Sequence, residues 1–350
     1  MSNKLYREAL ADVMADAMHK HDNTMIIGQG VNDFKGLFGT LHGLHEKYPS
    51  RVIETPIAED SIAGICLGAS LNGMYPINTH IRADFGLLIF NQLINLAAKY
   101  KYMFGGLFEV PMMFRFIIGR SWGQGAQHSQ SLQSLLAHIP GLVVIMPSSP
   151  RAIKESYEHA ISKHRGPVVM LEHRLMYELE FGDESNVTAK NPFSSRMIQS
   201  GDDVTIVATS VMVLEAKRAA EALAKVGISA EVIDLHSVSD PDHDMIFNSV
   251  KKTGRLLTVD TSWVQYGVVS EINRIICERD PTVLKRPSRS LGMAPSPCPT
   301  AKALEDIYYP DIRDIFDAVV DLSGVDGETI TERPKKQPMT DYYKHFKGPF

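Results

Sequence analysis

"RVIETPIAEDSIAGICLGASL", running from Arg51 to Leu71, reads as a strand, a proline turn and a helix. Residues 51–57 form the strand. Residues 59–73 are rich in Gly and Ala and predict a helix that packs unusually close to its neighbours. A strand feeding directly into a helix is one half of a βαβ unit, so this stretch predicts a parallel α/β sheet. An acidic knot of Glu54, Glu59 and Asp60 interrupts the apolar run. Two readings of Glu59 stand side by side. It is an acid at a helix N-terminus, favoured by the helix dipole by about 0.3–1 kcal/mol. Alternatively it is a carboxyl in an apolar pocket, where it could share a proton with a ligand nitrogen.

The same alternation continues on both sides. An opening amphipathic helix spans 4–20, with strands at 24–31, 74–81, 110–118, 142–147 and 166–173. Residues 86–103 predict one long amphipathic helix, and 150–164 another. A polar stretch, 181–202, breaks the pattern and reads as a linker. Beyond it, strand and helix alternate again through "DVTIVATS", "ISAEVIDLHSV" and "RLLTVDTS", with a helix from about 267 to 279. The expected layout is a first domain over 1–180, a linker over 181–202, and a second, smaller α/β domain over 203–325. The tail, 326–350, is basic and aromatic towards its end and is expected to pack on a partner surface.

At 350 residues the chain exceeds the size at which one core stops growing, which also favours two domains. A net charge of −5 offers no electrostatic reason for a nucleic-acid partner. Three widely spaced cysteines argue against a disulfide framework and for a reducing compartment. No cysteine or histidine spacing suggests zinc. The N-terminus lacks the marks of a signal or transit peptide, and no apolar run is long enough to span a membrane. A complete cytoplasmic protein is the expectation.

The "GQG" at 28–30 lacks the spacing of a dinucleotide or phosphate loop and reads as a tight turn. His128 lies in "GRSWGQGAQHSQS" (119–131), among small and polar residues without an aliphatic run. Loops of that kind display binding groups, so His128 is a candidate functional residue. In "HIRADFG" (80–86), Ile81 and Phe85 are core residues by default. As a pair they could also wall a flat heteroaromatic ring, while His80, Arg82 and Asp84 make the alternate side polar and able to line a cleft.

Taken in order, "RVIETPIAE", "NQLINLAAKYKYMFGGL", "GAQHSQS", "HIPGLVVIMPSSP" and "SVKKTGRLLTVD" resemble the β subunits of thiamine-diphosphate-dependent 2-oxo acid dehydrogenases, the E1 components of the pyruvate and branched-chain complexes. The resemblance runs from about residue 4 to about 322. It implies two doubly wound α/β domains, an N-terminal pyrimidine-binding domain and a transketolase C-terminal-like domain. It also implies that Glu59 hydrogen-bonds N1′ of the cofactor's aminopyrimidine and promotes loss of the thiazolium C2 proton. By the same resemblance Phe85 packs on the pyrimidine, with Ile81 and Ile57 as apolar neighbours. His128 would face the substrate and bind or protonate acyl intermediates. Thiamine diphosphate requires Mg2+, held in the family by a Gly-Asp-Gly motif. This sequence has none, so the resemblance implies an α subunit that carries it, in an α2β2 heterotetramer, and no metal ligand here.

Several positions depart from the family pattern. Gln29 and Gly30 stand where an acid usually follows the first loop's glycine. Lys163 and Arg165 replace an acid-and-amide pair near a structural potassium site, Thr261 follows Asp260, and "WGQG" precedes the histidine. Three functions therefore stand open. The leading one is thiamine-diphosphate-dependent decarboxylation of a 2-oxo acid, with acyl transfer to lipoamide on a lipoyl-bearing acyltransferase. The second is the same cofactor chemistry with another acceptor, as in a split transketolase or an acyloin-forming synthase. The third is a non-catalytic regulatory or assembly subunit.

Overall fold

Runs of Ile, Val and Met form the strands of two separate six-stranded sheets in a computed structural model of the chain, which describes residues 4–119 and 123–343. The described residues fall into two compact units. One comprises 4–119 and 128–183, the other 123–127 and 184–343.

The first unit opens with helix α1 (Tyr6–Lys20) and strand β1 (Thr24–Gly28). Strand β2 (Val52–Glu54) and helix α2 (Glu59–Leu71) follow, then β3 (Tyr75–His80), β4 (Met112–Ile118), β5 (Val143–Ile145), helix α3 (Pro150–Ser162) and β6 (Pro167–His173). The sheet order is β2-β1-β3-β4-β6-β5, and every pairing is parallel. Parallel sheets are covered on both faces, so their strands are apolar throughout rather than alternating. Accordingly β1, β3, β4 and β6 are buried from end to end.

One charged pair interrupts that core. Arg115 on β4 and Glu172 on β6 are both fully buried, with Nε to Oε1 at 2.6 Å and Nη2 to Oε2 at 2.8 Å. Tyr157 and Tyr177 donate hydroxyl bonds to the same carboxylate, and Arg115 also reaches Thr40 Oγ1 at 3.3 Å. Burial opposes the charge on Arg115, but the Glu172 carboxylate keeps its guanidinium more firmly protonated than usual.

The single helix expected over 86–103 is not formed. Ala83–Ile89 winds as a 3-10 helix, Asn91–Ala97 as a π-helix, and Tyr100–Met103 as one α turn. Close packing accounts for the tight start: a Cβ added to Gly86 would lie 3.0 Å from the Phe116 ring on β4. The wider π turn that follows buries Leu93 and Ala97.

The second unit contains β7 (Thr188–Ala189), β8 (Arg196–Gln199), β9 (Val204–Ala208), α4 (Val211–Ala224), β10 (Ala230–Asp234), α5 (His243–Thr253), β11 (Leu256–Trp263), α6 (Val268–Arg279), β12 (Arg289–Met293) and α7 (Ile312–Ser323). Its sheet order is β12-β11-β9-β10-β8-β7. The first four strands pair in parallel, and β8 and β7 are antiparallel. The second sheet is therefore mixed, and the polar stretch read as a linker contributes two of its strands. Their shortness and polarity hide them from a periodicity argument. The first unit, in turn, ends at Asp183.

The tail also differs from its reading as a partner-facing segment. Its described part lies on the second unit's own helices. Gln337 N donates to Asp311 Oδ2 at 2.9 Å, Arg333 pairs with Asp317 at 2.8 Å, and Tyr343 Oη donates to Glu215 Oε1 at 2.5 Å. Residues 344–350, like Trp122 of the "WGQG" stretch, lie outside the described residues. Among the described residues no helix is long and apolar enough to cross a membrane.

At the end of β3, His80 is buried. Its Nε2 lies 2.8 Å from Asn78 Oδ1, and its ring meets Phe116 edge-on. The Asn78 amide donates to Ile27 O, so Oδ1 is left to accept and Nε2 carries the proton. Burial pushes the imidazole down to about 3. An unfolded histidine binds a proton near 6.5, so between about 6.5 and 3 the unfolded state holds the extra proton. Stability must therefore fall as pH drops through that window, by up to about 1.4 kcal/mol per pH unit for this residue. Urea midpoints at pH 7 and pH 5 check this. His80→Gln should fall less between the two pH values than the native chain, and equal falls would remove His80 from the acid response.

Candidate active site

In an open parallel sheet, ligands bind beyond the carboxyl ends of the strands. The candidate residues all emerge there. Gln29 follows β1, Ile57 and Glu59 follow β2, Ile81 and Phe85 follow β3, and His128 lies in the loop after β4. Tight approach of β1 to β3 requires a glycine at the first of these exits: a Cβ on Gly28 would sit 2.3 Å from Thr79 O.

Glu59 is the first residue of α2 and half-buried. Gln29 Nε2 donates to its Oε1 at 3.4 Å. Glu54 serves the neighbouring backbone instead, accepting from Gly30 N at 2.7 Å and Asn32 N at 3.2 Å. The opening acidic knot thus divides its labour. Glu54 shapes the loop after β1, and Glu59 is left facing the strand ends. Ile81 is half-buried, its Cδ1 3.4 Å from where a Gly30 Cβ would be.

Phe85 and His128 meet edge-to-face, with ring centroids 5.3 Å apart and planes at 83°. His128 is half-buried in an irregular loop rather than set in the core. Ile57 is 83% exposed and Phe85 39%. The enclosed apolar pocket expected around Glu59 is therefore not completed by the described residues. What they place at the sheet's carboxyl edge is an acid at a helix start, exposed apolar side chains and an imidazole. In kind, those groups suit a flat heteroaromatic ring whose nitrogen can meet a carboxyl, and so fit an aminopyrimidine. Among the described residues no cluster of His, Cys, Asp or Glu could hold a metal ion.

Two side chains expected to line a cleft are buried instead. Arg82 Nη1 donates to Gly119 O at 3.3 Å. Asp84 Oδ1 accepts from Gln130 N at 3.2 Å and from Gln130 Nε2 at 2.9 Å. Burial raises the Asp84 carboxyl above the usual carboxylate range, and the two Gln130 bonds oppose that rise. The Asp84–Gln130 contact has no sequence signal beyond the polar alternation of residues 80–84.

This site and the two-unit α/β fold define a class. The chain belongs to the transketolase family: the transketolase pyrimidine binding domain matches residues 3–180, and the transketolase C-terminal domain matches residues 194–315. Within that class it belongs with the E1 β subunits. It is 38% identical over 319 residues to the mitochondrial pyruvate dehydrogenase E1 component subunit beta of Bos taurus, covering 89% of both chains. It is also 37% identical over 281 residues to the acetoin:2,6-dichlorophenolindophenol oxidoreductase subunit beta of Cupriavidus necator, covering 80% of this chain and 82% of that one. A solved split gene transketolase, an inactive beta4 tetramer, shares the fold with a TM-score of 0.75 at 21% identity, covering 91% of this chain and 97% of the other.

Proposed function

We propose that this chain is the β subunit of a thiamine-diphosphate-dependent 2-oxo acid dehydrogenase of the E1 type, active with an α subunit. The observation that supports the reading is the position of Glu59, Ile57, Ile81, Phe85 and His128 just beyond the carboxyl ends of three strands, β2, β3 and β4, with the Phe85 and His128 rings in contact. When bound, thiamine diphosphate would supply a carbon nucleophile for the 2-oxo acid carbonyl and a cationic ring as the electron sink for decarboxylation. Glu59 holds a proton at the pyrimidine N1′. Phe85, Ile81 and Ile57 orient the ring by apolar contact, and His128 serves the acyl side.

The diphosphate and Mg2+ are assigned to the α subunit, because this sequence has no Gly-Asp-Gly. Exposed apolar side chains support such a partner: Ile57 and Leu107 are each 83% exposed, and Ile65 and Leu88 are both more than half exposed. The acyl acceptor in this reading is lipoamide on a lipoyl-bearing acyltransferase. Three cysteines, none of them in a disulfide among the described residues, support a reducing compartment, here assigned as the cytoplasm.

Calorimetric titration with thiamine diphosphate and Mg2+ tests the split site. The chain alone should bind only weakly. Addition of an α subunit carrying Gly-Asp-Gly should produce tight, Mg2+-dependent binding. Micromolar affinity without any partner would overturn the division of the site.

A further inference from the structure

We propose that Asp84 is a positioning residue that holds the His128 loop in its working geometry. The proposal rests on the reading of His128 given above and extends it to a residue with no assigned role. No helix or strand includes the backbone from His128 to Leu132. Two consecutive side chains of the 3-10 segment contact it. Phe85 lies against the imidazole of His128. Asp84 binds Gln130, two residues further along, through both the backbone N–H and the side-chain amide, on one carboxylate oxygen.

Residues 84 and 85 therefore grip residues 130 and 128, and the loop is fixed at two points. A ring contact alone would let the imidazole slide across the face of Phe85. The Gln130 anchor removes that freedom without touching the imidazole. Bonds to an ionised acceptor are roughly twice as strong as neutral ones, which suits a carboxylate to anchoring an irregular loop. The anchor is also sheltered, because Asp84 is buried. A displacement of about 1 Å in a working group can cost about 100-fold in rate.

The test uses the reconstituted α/β enzyme and compares Asp84→Ala, Asp84→Asn, Gln130→Leu, His128→Ala and the Asp84→Ala/His128→Ala double variant. If Asp84 acts through His128, Asp84→Ala should lower kcat by about 10- to 100-fold, with KM for the 2-oxo acid changing far less. The double variant should be no slower than His128→Ala within about twofold, because both changes remove one contribution. Asp84→Asn keeps an acceptor oxygen and should recover most of the rate. Gln130→Leu removes one of the two bonds from the other side and should shift kcat in the same direction. Hydrogen–deuterium exchange at C2 of the bound cofactor, which reports on Glu59, should not change in Asp84→Ala.

Multiplicative losses in the double variant would overturn the proposal. So would a parallel fall of exchange rate and melting temperature in Asp84→Ala, the mark of a merely structural residue. Unchanged turnover in Asp84→Ala beside a slow His128→Ala would remove the anchor and leave the His128 role standing. Unchanged turnover in His128→Ala would remove that role and the anchor with it.

Discussion

Glu59→Gln should slow C2 hydrogen–deuterium exchange of thiamine diphosphate bound to the reconstituted α/β enzyme by about 100- to 10,000-fold. Glutamine has the same length and can still hydrogen-bond a ring nitrogen, but it cannot give up and retake a proton. That range is typical for a positioned acid or base. Cofactor affinity should fall far less, because the diphosphate and its metal are assigned to the partner. Position favours this outcome: Glu59 opens α2 at the carboxyl edge of the sheet, and Gln29 Nε2 donates to it at a long 3.4 Å. Near-normal exchange in the glutamine variant would reduce Glu59 to a helix-start acid. The catalytic assignment would then fail while the fold and family stood unchanged.

Arg115→Met should destabilise the first unit by about 3–5 kcal/mol. Removing the guanidinium strands the Glu172 carboxylate in a site where both side chains of the pair are fully buried. The two tyrosine hydroxyls that remain can share its charge but cannot neutralise it. A paired replacement, Arg115→Met with Glu172→Leu, should recover much of the loss, since a buried ion pair is often no more stable than well-packed apolar side chains. Chemical denaturation followed by a probe in the first unit measures both. A loss under about 1 kcal/mol in the single variant would mean that water or a rearranged tyrosine satisfies the stranded carboxylate.

The parts of this protein that its sequence determines are those set by neighbours a few residues apart. The run from Arg51 to Leu71 specifies strand, turn and helix by local periodicity, and so places Glu59 at the head of α2. His128 stands in a loop because glycines and polar residues around it offer no helical or strand period. Where packing across the fold overrides local pattern, the reading and the structure part. Residues 86–103 carry a helical pattern, yet Gly86 must fit against Phe116, and the segment breaks into 3-10, π and α turns. Thr188–Ala189 and Arg196–Gln199 become strands only because an existing sheet edge receives them. Asp84 meets Gln130 across 46 residues and Arg115 meets Glu172 across 57. A buried carboxylate needs a donor or a countercharge, but it is the parallel sheet's topology that decides which distant residue supplies it. The tertiary structure likewise leaves Ile57 and Phe85 in the open, because which apolar side chains a core covers is decided by packing between distant elements and not by their neighbours in sequence.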